Sequence, residues 1–244
     1  MAEPLCALVT GANRGLGLAL ARDLLERRDA LVAMGLRDPA NAASCHELLD
    51  GRRQRGLVVH LDYADAGSAA SAATACRSWL GHLDLLVNCG GVNAAPGYPP
   101  GASKGPLGQL DPQALLAVLG TNVVGPVLTC QAFLPLLRRS ARPCVVNVSG
   151  GRGSLAAATE PGSFGYAVSK AALNMATRKM AAQLGLEGGV AVAVDPGWVR
   201  TRMGGPDAPG DPDVAAARLI DLVLGRAAEL NGRFVTVDGR DVPW

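Results

Sequence analysis

Aromatic residues make up only 4% of this 244-residue chain, although 49% of it is hydrophobic, so its core has to be built from Ala, Val and Leu. Such small and branched side chains suit a parallel sheet covered by helices on both faces. Charge of one sign is also lacking: 23 Lys and Arg stand against 21 Asp and Glu. The densest basic patch is Arg52-Arg53-Gln54-Arg55, which reads as a solvated loop and argues against a nucleic-acid partner. The cysteines at 6, 45, 76, 89, 130 and 144 show no paired spacing, so neither a disulfide framework nor a metal site is expected. No apolar run reaches the length of a membrane span, and the chain enters its first strand too soon for a signal peptide. No membrane partner and a cytoplasmic location are expected. Internal repeats, low-complexity tracts and composition shifts are absent, so residues 1–244 are expected to form one domain.

The strongest positive feature is the stretch from Leu5 to Leu25. Leu5 to Val9 reads as a buried strand. Gly11, Gly15 and Gly17 then interrupt the chain where a strand must turn into a helix, and Leu16, Leu20, Leu24 and Leu25 follow at helical spacing. Glycines there allow close approach of the backbone to a pyrophosphate, and the new helix offers unpaired N–H groups to that anion.

Strands are predicted at 30–36, 57–61, 83–87, 144–149, 190–194 and 234–237, and helices at 66–80, 112–139, 163–186 and 214–226. Asp111 is the expected N-cap of the helix at 112, with Pro126 and Pro135 bending or interrupting it. At the end of the second strand, where an acid would hold ribose hydroxyls, stands Leu36, followed by Arg37. With Arg14 in the glycine turn, these residues favour a 2′-phosphate and hence NADP(H). The segments 92–111 and 201–212 are rich in Gly, Pro and small residues. Both read as walls of a substrate cleft, and within the second Gly204 to Asp211 reads as a mobile lid. Tyr166 and Lys170, four apart, share a helix face, where an ammonium would bring a phenol of pKa roughly 10 closer to acid–base use.

The pattern Thr10-Gly11-x-x-x-Gly15-x-Gly17, followed by Asn88-Cys89-Gly90-Gly91, Asn122, Tyr166-x-x-x-Lys170 and Pro196-Gly197-x-Val199-x-Thr201, resembles the short-chain dehydrogenase/reductase family over nearly the whole chain. The C-terminal segment is similar to its C-factor-like, carbonyl-reductase-related branch. The resemblance implies a doubly wound, Rossmann-type α/β fold with about seven parallel strands in the order 3-2-1-4-5-6-7. It implies an NADPH-dependent oxidoreductase acting on a small-molecule carbonyl, with Tyr166, Lys170 and Asn122 catalytic, Asn122 holding a water for proton relay. By the same resemblance the cofactor would meet Gly11, Asn13, Arg14, Gly15, Leu16, Gly17, Arg37, Asp62, Tyr63, Asn88, Gly90, Tyr166, Lys170, Pro196, Gly197, Val199 and Thr201. Asp62 would bond the adenine, Asn88 would tie neighbouring strands together, and Val199 and Thr201 would touch the carboxamide of the nicotinamide. Small residues on more than one face of the helices around Asn122 and Tyr166 suggest a homodimer or homotetramer.

One position departs from the family pattern. The catalytic serine is expected second after Val146-Asn147-Val148, and that place is taken by Gly150. Ser149 precedes it and, by strand alternation, faces away unless a bulge turns it inward. Ser154 is a further candidate. Three readings follow: a carbonyl reductase with Ser149, Ser154 or a water in the serine's place; a fold member with altered or non-redox chemistry such as elimination, isomerisation or cyclisation; or a C-factor-like cofactor-binding signalling protein.

Overall fold

The computed structural model describes residues 3–99 and 101–244. In chain order its elements are β1 (Cys6–Thr10), α1 (Gly15–Arg27), β2 (Leu31–Leu36), α2 (Ala43–Leu48), β3 (Gly56–His60), α3 (Ala66–Leu80), β4 (Leu85–Asn88) and α4 (Gly101–Lys104). They continue with α5 (Pro112–Leu119), a π turn over Gly120–Val124, α6 (Gly125–Leu137), β5 (Cys144–Val148), α7 (Phe164–Gly185), β6 (Val190–Asp195), α8 (Pro212–Arg226) and β7 (Phe234–Thr236). The seven strands form one parallel sheet in the expected order, β3-β2-β1-β4-β5-β6-β7. Strand order reverses between β1 and β4, and the crevice at their carboxyl ends is where open α/β sheets bind ligands.

Strand alternation divides the core between the two faces of the sheet. Ala7, Val9, Val32, Met34, Val146, Val192 and Val194 point to α1 and α8. Leu8, Ala33, Leu86, Val145 and Ala191 point to the opposite layer, where Phe133, Leu136, Ala181 and Leu184 meet them. Each fully buried large side chain contributes about 1.5–3 kcal/mol relative to exposure. Asp65, Asp111 and Asp211 cap α3, α5 and α8 by accepting backbone N–H bonds.

The helix expected over 112–139 is divided. In a regular helix Pro126 would have to bond the Asn122 carbonyl, but it has no N–H and its ring crowds that oxygen. The chain answers with the π turn at 120–124, centred on Asn122. By length and composition the run Pro112–Leu137 is long and apolar enough to cross a membrane, contrary to the sequence reading. Part of the run packs into the fold, with Ala114, Val118, Phe133, Leu136 and Leu137 buried, while Leu116 and Val124 are exposed. The segment 92–111 also carries structure of its own among the described residues. It contains α4, whose Ser103 accepts from Ala95 N, and the Lys104 carbonyl accepts from Ser163 N at the start of α7.

Candidate active site

At the end of β1, Gly11 and Gly15 adopt left-handed φ values of +65° and +52°. A Cβ on Gly17 would run into the Gly11 carbonyl oxygen, so this turn closes only around glycine. No side chain caps α1 and no acid lies in its first turn, which leaves its leading N–H groups for an anion. Leu36 is buried, and Asp38 spends its two oxygens on Ala40 N and Asn41 Nδ2, so no free carboxylate stands at the end of β2. Arg14 and Arg37 are exposed and make no ion pair among the described residues. Burial first, then the charges of Arg202 and Arg37, hold the Arg14 guanidinium below its ordinary value. Arg202 was not anticipated from the sequence. These features fit a phosphorylated dinucleotide. Asn13 is tied to the Asn41 carbonyl, Leu16 is buried beneath the turn, and Asp62 accepts from Ala64 N.

Below the cleft runs a chain of buried polar groups. Thr10 Oγ1 accepts from the Cys89 and Gly90 N–H groups and lies 2.6 Å from the Tyr63 hydroxyl. Tyr63 donates to Asn88 Oδ1, Asn88 to Asn147 Oδ1 across the β4–β5 pair, and Asn147 to Thr177 Oγ1 on α7. Asn88 thus ties strands together as its sequence context suggested. Tyr63 also has a supporting role: its phenol is bonded to Thr10 and Asn88, and its ring packs where side chains on Gly90 and Gly125 would clash.

One stripe of α7 forms the edge of the cleft beside β5. Tyr166, Lys170 and Asn174 follow at four-residue intervals and face the end of β5. Lys170 Nζ donates to the Val148 carbonyl at 2.8 Å, and Asn174 accepts from Ser149 Oγ at 2.7 Å and donates to the Gly153 carbonyl at 3.1 Å. Ser149 keeps the strand's alternation, its N–H bonded to Val194 O, so its hydroxyl lies on the α7 side with Asn147 and is buried. No bulge turns it inward, and this corrects its candidacy as a donor in the cleft. Ser154 is turned toward Ala157 N and the Trp244 carbonyl. Gly150 is the position beside the phenol: a Cβ there would lie 3.2 Å from Tyr166 Oη and meet nothing else within 4 Å. Asn174, missed by the sequence reading, was signalled only by its place one turn beyond Lys170.

Asn122 differs from expectation in a second way. Its side chain is not free for a water: it accepts from Val92 N, and donates to Val92 O and Ser169 Oγ. It therefore fixes the first residue of the cleft wall.

The groups that act most on the phenol are not the ones the sequence pointed to. Burial first and the Asp195 charge second raise Tyr166 to about 12, against the lowering charge of Arg152. Lys170 Nζ lies 5.6 Å from the ring centroid, and burial pulls its own pKa down to about 8. At neutral pH Tyr166 is thus a protonated phenol, suited to giving a proton.

After β6, Gly197 turns with φ +78° behind Pro196. The following segment, read from the sequence as a lid, carries cross-bonds: Val199 bridges Gly210, Arg200 N bonds Gly210 O, and Trp198 Nε1 bonds Gly204 O. Val199 and Ala208 are buried. The staple sets Thr201 so that its Cγ2 would lie 3.1 Å from a Cβ on Gly15, which joins this loop to the glycine turn.

Comparison with known proteins agrees with this geometry. The family described as short chain dehydrogenase matches residues 5–211. The chain is 38% identical to the C-signal of Myxococcus xanthus over 172 residues, 70% of this chain and 99% of that protein. Its fold superposes on the carbonyl reductase Sniffer of D. melanogaster with a TM-score of 0.91 at 28% identity, covering 99% of this chain and 100% of the other. For the NADPH-bound carbonyl reductase from chicken fatty liver the TM-score is 0.87 at 28% identity, with both chains covered to 100%.

Proposed function

The chain belongs to the short chain dehydrogenase family, and from that premise we propose that this oxidoreductase uses NADPH to reduce the carbonyl of a small ketone or aldehyde. The observation that carries the reading is the Tyr166 phenol, held protonated beside the empty position 150 at the same sheet edge as the glycine turn. The glycines of 11–17 and the N-terminus of α1 would hold the phosphates, Arg14 and Arg37 the 2′-phosphate, and Val199 and Thr201 the nicotinamide end. When bound, the cofactor supplies the hydride. Tyr166 Oη gives the carbonyl oxygen its proton, so that one hydride and one proton complete the alcohol. Lys170, anchored on the Val148 carbonyl, places positive charge beneath the phenol as it becomes phenolate. The Asn122 carbonyl, deprived of its helical partner by Pro126, is the group left to hold a relay water, while its amide positions Val92.

NADPH consumption with a panel of aldehydes and ketones tests the reading, and undiminished turnover in Tyr166→Phe would overturn it. The absent donor at Gly150 favours a second reading, chemistry without net redox change. Product formation without loss of NADPH would identify that case. Leu116, Val124, Phe164, Val168 and Met175 are exposed on α5, the π turn and α7, which supports a homodimer or homotetramer through these helices; sedimentation as a monomer at micromolar concentration would remove it.

A further inference from the structure

We propose that Arg202 is a ligand of the cofactor's diphosphate, delivered to the glycine turn from the loop after β6. This rests on the NADPH reading above and adds a residue to it from outside the β1–α1–β2 unit. A cavity of about 390 Å³ lies beside the start of α1, with Arg14, Gly15, Arg22, Arg200, Thr201 and Arg202 in its wall. Two of its guanidinium groups are already engaged, Arg22 with Asp213 and Arg200 with Asp211. Arg14 and Arg202 make no ion pair among the described residues. Their mutual repulsion is felt at Arg14, where Arg202 acts more strongly than Arg37. An anion between them removes that repulsion.

The topology separates the roles of the three arginines. Arg37 follows β2 and Arg202 follows β6, so they approach the α1 N-terminus from opposite sides of β1, with Arg14 between them. Thr201 sits against Gly15, the first residue of α1, and this puts the next residue on the diphosphate side and away from the ribose that Arg37 faces. The staples at Val199–Gly210 and Trp198–Gly204 mean that no large closure is needed to bring Arg202 there.

Binding measured by fluorescence titration of NADPH, NADH and 2′-AMP to the whole protein tests the assignment. NADH carries the diphosphate alone, and 2′-AMP carries the 2′-phosphate alone. Arg202→Ala is expected to weaken NADPH and NADH by the same factor, about ten- to a hundredfold as for a charge-assisted hydrogen bond, and to leave 2′-AMP unchanged. Arg37→Ala is expected to weaken NADPH and 2′-AMP and to spare NADH. The Arg202 side chain is exposed and makes no hydrogen bond among the described residues, so an unchanged melting temperature accompanies the expected result, and Arg202→Lys restores part of the affinity. Wild-type affinity of Arg202→Ala for both dinucleotides overturns the proposal, as does a loss confined to NADPH and 2′-AMP. Wild-type protein that binds neither dinucleotide overturns the functional reading on which the proposal stands.

Discussion

The glycine-rich segments after β1 and after β5 look alike in sequence, yet their glycines do different work. After β1 the backbone demands them: Gly11 and Gly15 have positive φ, and a side chain on Gly17 has nowhere to go but into the Gly11 carbonyl. After β5, Gly150 has φ 170°, extended backbone that any residue adopts, and a Cβ there would meet only Tyr166 Oη. The first set is a condition for the shape of a phosphate cradle. The second is crowded by one atom alone, the Tyr166 hydroxyl, which must give by a few tenths of an ångström to admit a side chain. It therefore belongs to the chemistry next to the phenol and not to the fold.

Tyr166→Phe makes the sharpest separation between the two regions: turnover is expected to fall about 10²–10⁴-fold while NADPH affinity measured by fluorescence stays near wild type. Gly17→Ala should do the reverse. Forcing a methyl group into the turn costs about 1–3 kcal/mol, seen as a lower melting temperature and weaker NADPH binding. Gly150→Ala, by contrast, leaves both near wild type, and equal effects from the two alanines would break the distinction. Gly150→Ser restores a hydroxyl beside Tyr166 and is expected to raise steady-state turnover about tenfold, a part of what one preorganised donor is worth. A fall instead would show that the space receives substrate. The smallest effect is in pH. Lys170 is charged below its value of about 8 and neutral above it, whereas Tyr166, near 12, keeps its proton throughout that range. The kcat/KM for reduction should therefore decline as pH rises through about 8, and Lys170→Arg should move that limb upward.

Where sequence reading fell short, the missing information was a neighbour distant in the chain. The parity of Ser149 was readable from strand alternation, but whether a bulge intervened depended on its pairing with β6. The helix break at Asn122 followed from Pro126 four residues on, whereas the capture of the Asn122 amide by Val92 and Ser169 did not. The resemblance placed Tyr63 at the cofactor and said nothing of its hydroxyl's partners. Its hydroxyl is claimed by Thr10 and Asn88, from two other strands. The segment from Gly204 to Asp211 has the composition of a lid, and its bonds to Trp198 and Arg200 come only with the tertiary structure.

What the sequence determined alone is what short-range periodicity and stereochemistry can carry: the alternation of strands and helices, the glycine turn, the face shared by Tyr166 and Lys170, and the absence of a serine at 150. The tertiary structure decided which charges act on which groups. Burial dominates at the phenol, Arg152 and Asp195 come to Tyr166 from the turn after β5 and from the end of β6, and Arg202 comes to Arg14 from nearly two hundred residues away in the chain. Desolvation and Coulomb interactions depend on distance through space, and spacing along the chain holds no measure of that distance.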